Sequence, residues 1–149
     1  MNYDPAAFWG YVGAALAMGI SALGAAVGMG IAGSATVGAW KRCYKANKPV
    51  PMTLMTFVGF PLTEVFYGYI LMSQMLGVAS VSNTGLLFGV GIGAGLTIGA
   101  VAIAEGYVGA AAADAITDTG KGFANCIAIV GVCETVALFA MVLSMTLLG

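Results

Sequence analysis

Charged side chains are scarce in this chain: only 7% of its 149 residues are Asp, Glu, Lys or Arg, and histidine is absent. Hydrophobic residues make up 60% of the sequence, and the mean hydropathy is +1.00. In a soluble domain about a quarter of the residues are charged. The composition therefore excludes an ordinary soluble domain and indicates a membrane protein.

Motifs for catalysis are also missing. The sequence contains no glycine-rich phosphate loop of the nucleotide-binding type and no nucleophile paired with a base. Its three cysteines, Cys43, Cys126 and Cys133, lack the spacing of a metal site or a disulfide framework, so we interpret them as small apolar side chains. We expect a chain that is not an enzyme and needs no cofactor.

The sequence does contain four apolar runs long enough to cross a bilayer, for which about 20 helical residues suffice. The link at 41–51 holds four of the five basic residues, so the positive-inside rule predicts that it is cytoplasmic and that both termini lie on the opposite side. Residues 1–5 include no basic residue, so we expect no cleaved signal peptide. We predict transmembrane helices at roughly 9–39, 52–80, 86–115 and 122–148.

The two halves of the chain resemble each other. The run that begins at Glu64 aligns with the run that begins at Glu134, and glycines of the preceding helices align as well. Each half is then a transmembrane hairpin, the first at 1–81 and the second at 82–149. Because two crossings return the chain to its starting side, we predict two tandem hairpins of like orientation, unlike an inverted-repeat transporter.

Small residues form a narrow stripe on the first and third predicted helices, at about 100° per residue. Small residues let helix backbones approach closely in a membrane. We predict an inner layer of these two helices and an outer layer of the bulkier second and fourth. Many copies would close into a ring, whose shorter inner circumference needs small residues; a monomeric bundle is the alternative. The stripes comprise Gly10, Gly13, Ala17, Gly24, Gly28, Ala35 and Gly38, and Gly91, Gly95, Gly99, Ala102, Gly106 and Gly109.

Three glutamates, Glu64, Glu105 and Glu134, lie in the middle of these apolar runs. An ionisable group at bilayer depth costs roughly 2.5 to 3.5 kcal/mol on insertion scales, so such groups indicate an ion pathway. Counting about 1.5 Å of rise per residue from the helix ends, the three carboxyl groups reach similar depths. We predict that they meet at mid-membrane.

The neighbours of Glu64 supply further oxygen atoms. Thr63 precedes it, and the phenol of Tyr67 lies at i+3. Pro61 cannot donate a hydrogen bond to the carbonyl of Phe57, and a carbonyl freed in a membrane needs another partner. Several oxygens at one depth suit a hard cation, and they suit a proton equally well. Alternatively, the acids only join helices through hydrogen bonds.

Three motifs carry a resemblance to a known family: Pro-Leu-Thr-Glu-Val-Phe-Tyr-Gly at 61–68, Ala-Glu-Gly-Tyr-Val-Gly-Ala-Ala at 104–111 and Cys-Glu-Thr at 133–135. Together with the double hairpin and the glycine-rich helices, they resemble the proteolipid rotor subunit of V-type rotary ATPases. The resemblance implies a homo-oligomeric membrane ring that turns against a stator subunit with an essential arginine. It also implies central-stalk subunits and membrane lipids as partners; we expect no nucleic acid.

The resemblance also assigns roles to the oxygen-bearing residues. Glu134 would hold the transported ion until the stator arginine releases it. In sodium-pumping members, Thr63 would match a threonine ligand and the carbonyl of Phe60 a backbone ligand. Tyr67 would match the tyrosine that hydrogen-bonds the essential glutamate, with Pro61 supporting the site.

The resemblance leaves Na⁺ and H⁺ both open, because Glu64 and Glu105 stand where the sodium-pumping members have glutamines. Three close carboxylates cannot all be ionised beside one monovalent cation in a low dielectric. We therefore expect Glu134 to be the ionised ligand and the other two acids to be neutral or to share protons. A sodium site of Glu134, Glu64, Thr63 and Glu105 is then workable, and a proton-only site is its rival.

Two other functions stay open: a small cation-coupled antiporter and a passive oligomeric pore. The charges of the two cytoplasmic loops are interpreted as solvated groups. In the family that this chain resembles, these loops also seat the central stalk. The charged residues concerned are those of 41–48 with Asp114, Asp118 and Lys121.

Overall fold

The computed structural model describes residues 4–149, and its regular structure is entirely helical. The expectation about residues 1–5 therefore falls partly outside the described residues. The helices are α1 (Phe8–Lys45), α2 (Met55–Gly59), α3 (Thr63–Val78), α4 (Thr84–Thr119) and α5 (Phe123–Thr146). Short 3₁₀ turns occur at Pro5–Ala7, Met52–Leu54, Phe60–Leu62 and Val81–Asn83.

Within residues 4–149, four helical stretches are long and apolar enough to cross a membrane, and they coincide with the four predicted spans. The all-α class is confirmed, and the chain is an integral multi-pass membrane protein. The helix α1 continues to Lys45, beyond its predicted end at residue 39. Lys and Arg are good helix formers and are favourably placed near the negative end of the helix dipole. The stretches are Pro5–Lys45, Met52–Val78, Val81–Thr119 and Phe123–Thr146.

The second span changes from α-helical to 3₁₀ hydrogen bonding in its middle. A 3₁₀ turn at Phe60–Leu62 separates α2 from α3, and Pro61 lies buried within it. Because proline has no N–H, the turn loses one α-helical hydrogen bond. Next to it, the hydroxyl of Thr63 donates to the carbonyl of Phe60 across 2.8 Å. The turn ends two residues before Glu64, and its flanking residues keep right-handed helical dihedrals.

The helices α1 and α4 run parallel and pack backbone against backbone. Gly13 lies against Gly91, and further along both helices Gly28 lies against Gly106. A Cβ atom on either helix at these points would collide with the backbone of the other helix, so this approach requires glycine. Parallel packing of the first and third spans is what two hairpins of like orientation require.

The small-residue stripe forms this contact for most of its length. Gly38 is an exception, because no atom of another part of the chain lies near its Cβ direction. Small residues of both helices are buried, so the prediction of a packing surface is confirmed. The buried members are Gly10, Gly13, Ala17, Gly24 and Gly28 on α1, and Gly91, Gly95, Gly99, Ala102, Gly106 and Gly109 on α4.

The remaining helices pack on this pair. In α3, Gly68 lies against Ser21 of α1, and in α2 Phe57 lies against Gly109 of α4. The helix α5 packs on α4 and α3. Ring assembly fits this architecture and the family reported below. The hairpin boundaries at 81 and 82 stay a prediction.

Candidate ion-binding site

A hydrogen bond joins the second and fourth spans. The phenol of Tyr67 on α3 donates to Oε1 of Glu134 on α5 across 2.8 Å. Both side chains are partly buried and border a crevice of about 200 Å³ whose lining also includes Gly131 and Leu138. The carboxyl group of Glu134 is therefore oriented by a neighbouring span while it stays accessible from the surface of the chain.

Glu64 and Glu105 have a different environment from Glu134. Both side chains are fully buried, Glu64 on α3 and Glu105 on α4. None of their four carboxyl oxygens has a hydrogen-bond partner among the described residues. Burying a polar group without a partner is costly, so such groups call for an explanation such as an ion or a bound proton.

The three acids lie within electrostatic reach of one another. Glu64 interacts with both Glu105 and Glu134, and Glu105 interacts with Glu134. The structure thus brings together three side chains from three different spans that the sequence placed at one depth. No hydrogen bond links one acid to another within residues 4–149.

The 3₁₀ turn at Phe60–Leu62 lies against the contact between α1 and α4. Pro61 packs at Gly28 of α1, and Gly109 of α4 lies against the backbone of Phe57. Gly109 follows Glu105 by one helical turn, so the carbonyl of Phe57 and the Glu105 carboxyl belong to neighbouring layers of the bundle. The hydroxyl of Thr63 donates to the carbonyl of Phe60, which lies between Phe57 and Thr63 in the chain. The predicted site residues of the second span lie in this turn or on the first turns of α3.

The candidate ligands for a cation are a mixture of carboxylate, hydroxyl and backbone carbonyl oxygens. The described residues contain no group of three or more His, Cys, Asp or Glu side chains placed to bind a metal ion. A cation here would need mixed ligands, such as a carboxylate, the Thr63 hydroxyl and the Phe60 carbonyl, as hard cations accept. The ligand set of Glu134, Glu64, Thr63 and Glu105 stays a prediction.

One contact was not anticipated from the sequence. Arg42 at the end of α1 donates to Asp114 of α4 across 2.6 Å and lies 3.9 Å from Asp118. The sequence predicts solvated charges here, and the three side chains are indeed half exposed or more. Two signals could have suggested the pair: the two aspartates are spaced i, i+4, and parallel first and third spans end side by side.

The fold and the three acids on its apolar spans indicate a four-span membrane proteolipid. Residues 88–147, which include Glu105 and Glu134, match the ATP synthase C-subunit family. Over 140 residues, 93% of this chain, the sequence is 30% identical to the A-type ATP synthase subunit K of Methanocaldococcus jannaschii. The chain spans 61% of the length of that relative. These matches support the family expected from the sequence, the rotor proteolipids of V- and A-type ATPases.

Proposed function

We propose that this chain is the ion-carrying member of a homo-oligomeric rotor ring in the membrane sector of a V- or A-type ATPase. Glu134 takes up Na⁺ or H⁺ on one side of the membrane and releases it on the other as the ring turns against a stator arginine. Other subunits hydrolyse or synthesise ATP, and a central stalk couples them to the ring. The chain itself performs no catalysis.

The observation that carries this proposal is the contrast between Glu134 and the two buried acids. A carrier must exchange its ion with the outside of its own chain in every cycle. Glu134 borders an open crevice and is held by Tyr67, whereas Glu64 and Glu105 have no exposed surface in this chain. Glu134 is thus the acid that an entering ion can reach, and the others supply oxygens behind it.

The neighbouring oxygens favour Na⁺ as the first ion to test. A sodium ion at Glu134 would be completed by the hydroxyl of Thr63, the carbonyl of Phe60 and oxygens of the two buried acids. Neutral carboxyl groups offer carbonyl acceptors much as amides do. The unpartnered oxygens of Glu64 and Glu105 support this assignment, because an ion would give them a partner. A proton on Glu134 is the competing cargo.

The sidedness of the ring follows from the basic residues. Four of the five lie in 41–51, and the fifth, Lys121, lies in the loop between α4 and α5. Both loops are on the same side of the membrane, because α1 and α4 run parallel. The excess of Lys and Arg assigns this side to the cytoplasm and both termini to the other side.

Carbodiimide labelling of membranes that contain the whole ATPase tests this proposal. Dicyclohexylcarbodiimide modifies carboxyl groups in apolar surroundings, and we expect the label on Glu134, with protection by Na⁺ at neutral pH. The variant E134Q should lose both the label and ATP-coupled ion transport. The variant D114N, which alters an exposed acid at the loop end, should be labelled like the unmodified protein.

The possible outcomes test the identity of the ion and the carrier role of Glu134 separately. Labelling that Na⁺ does not reduce would exclude the sodium version and leave the proton version. ATP-coupled transport that persists in E134Q would overturn the carrier role of Glu134 for either ion.

A further inference from the structure

The crevice beside Glu134 differs in composition from the ligand set predicted for the ion. It is lined by Tyr67, Gly131, Glu134, Thr135 and Leu138, and we call it the outer crevice. The other predicted ligands do not line it, whether the two buried acids or the oxygens of the 3₁₀ turn. An ion that arrives from outside the chain therefore meets Glu134 in different surroundings from those in which it would finally be held.

Gly131 leaves the space from which the outer crevice is formed. It precedes Glu134 by three residues and Thr135 by four, so all three lie on one side of α5. Side chains on a helix lean toward its N-terminal turn, so those of Glu134 and Thr135 reach over Gly131. A Cβ placed at Gly131 would meet no atom of another helix within 4 Å. The room beneath the two side chains is therefore open.

The oxygens that line the outer crevice act as acceptors. A hydroxyl has a single proton to donate. Tyr67 donates its proton to Oε1 of Glu134, and Thr135 donates its proton to the carbonyl of Val132 across 2.7 Å. The second carboxyl oxygen of Glu134 forms no hydrogen bond within residues 4–149. The crevice thus presents carboxyl and hydroxyl lone pairs, which hard cations accept as ligands and which repel anions.

We propose that the outer crevice is a second cation position, in which the ion rests partly hydrated against Glu134 and Thr135 before it moves inward. This inference rests on the carrier role of Glu134 proposed above. The crevice volume of about 200 Å³ leaves room for an ion with several waters, since one water occupies about 30 Å³ of liquid. Thr135 is then a ligand of the entering ion that the sequence did not indicate.

A larger groove between α4 and α5 shows what distinguishes the outer crevice. This groove has a volume of about 720 Å³ and contains the hydroxyls of Thr97, Ser144 and Thr146, but no carboxyl group. The hydroxyl of Thr146 donates to the carbonyl of Leu143 across 2.7 Å, just as Thr135 donates to Val132. A hydroxyl without a neighbouring charge attracts a cation weakly. Thr146 is therefore a matched control for Thr135.

Exchange of radioactive sodium on membranes that contain the whole ATPase tests this inference. We expect T135V to slow both entry and release of Na⁺ by about tenfold or more, the loss typical of one contact to a charged group. The Na⁺ concentration that half-protects Glu134 from carbodiimide should stay unchanged, because a position crossed in both directions alters rates and not the equilibrium. The variant T135S, which keeps the hydroxyl, should exchange Na⁺ at the unmodified rate, and so should T146V.

A second pair of variants tests the space rather than the oxygen. G131L fills the outer crevice and should also slow exchange. A128L adds a similar side chain at an exposed position of α5 that does not line the crevice, and it should leave the rate unchanged.

Three results would overturn the inference: an unchanged exchange rate in T135V, an equal loss in T146V, or a changed half-protecting concentration without slower exchange. Failure of the proposed function looks different, because E134Q would then keep ATP-coupled transport. If Glu134 binds no Na⁺ even in the unmodified protein, the same comparison applies to ATP-driven proton uptake. T135V should then slow that uptake and T146V should not, and equal uptake by the two variants would exclude the outer position for a hydrated proton as well.

Discussion

The phenol of Tyr67 donates a hydrogen bond to Glu134 across 2.8 Å, and this bond links the span that contains the proline break to the last span of the chain. A carboxylate held by one donor from another helix has a defined direction, which an ion-binding group needs. Hydrogen bonds to charged groups contribute about 1.5 to 3 kcal/mol.

We therefore predict that Y67F lowers the affinity of the site for Na⁺ by about tenfold or more, since about 1.4 kcal/mol corresponds to a factor of ten. The measurement is the Na⁺ concentration that half-protects Glu134 from carbodiimide. The control is Y69F, because Tyr69 is 52% exposed on the same helix and forms no hydrogen bond within residues 4–149. An unchanged half-protecting concentration in Y67F would show that the bond does not orient an ion ligand.

The hydroxyl of Thr63 provides a second test of the ion. Its bond to the carbonyl of Phe60 places two oxygens 2.8 Å apart just before Glu64 in the chain. The variant T63V keeps the shape of the side chain and removes one oxygen. If Na⁺ is the cargo, we expect T63V to lose protection by Na⁺ while T63S, which keeps the hydroxyl, retains it.

The comparison between T63V and T63S also addresses the proton version. A proton needs one carboxyl group and not a shell of ligands, so transport by T63V at low sodium should then stay close to that of the unmodified protein. Measuring ATP-driven transport over a range of sodium concentrations separates the two. Loss of transport in T63S as well would indicate a packing defect rather than a missing ligand.

The close approach of α1 and α4 predicts a sharp difference between two glycines on one helix. A Cβ at Gly28 would meet the carbonyl of Ala102 and lie 3.1 Å from Cβ of Pro61, whereas nothing lies near that of Gly30. Overpacking of this kind costs typically about 1 to 3 kcal/mol. An exposed Gly→Ala change inside a helix is favourable by about 1 kcal/mol.

We expect G28A to lower the Tm of the detergent-solubilised protein and G30A to leave it unchanged or raise it. The thermal transition followed by circular dichroism measures both. Equal Tm values for the two variants would contradict backbone contact between α1 and α4 at Gly28. Because Pro61 also lies at this point, G28A should in addition disturb labelling of Glu134, whereas G30A should not.

The helical spans and the family could be predicted from the sequence because both depend on patterns that extend over many residues. Apolar length sets the spans, and glycine spacing indicates the packing surface. The predicted end of α1 is too early, since Lys41 and Lys45 interrupt the apolar run without interrupting the helix. Hydropathy reports where a helix leaves the membrane, not where it ends.

The grouping of the three acids could be predicted and their arrangement could not, while their membership of an ion site stays a prediction. Depth follows from counting residues along a helix, so the common level of Glu64, Glu105 and Glu134 could be inferred. Which acid is open to the surface depends on how α5 packs on α3 and α4, and no local pattern encodes that packing. The same holds for Arg42 and Asp114, whose contact depends on the register between two parallel helices.

The ion pair between Arg42 and Asp114 should contribute little to stability, although its distance is only 2.6 Å. The two side chains are 50% and 67% exposed, and exposed pairs contribute about 0.2 to 1 kcal/mol. We predict a coupling energy in this range from a double-mutant cycle of R42Q, D114N and the double variant, measured by unfolding in detergent. The coupling should shrink as the salt concentration rises, because salt screens exposed charges.

Asp118, 3.9 Å from Arg42, can replace part of the lost contact, so D114N alone should cost less than R42Q. A coupling of several kcal/mol that resists salt would instead show that the loop end is buried in the assembled protein.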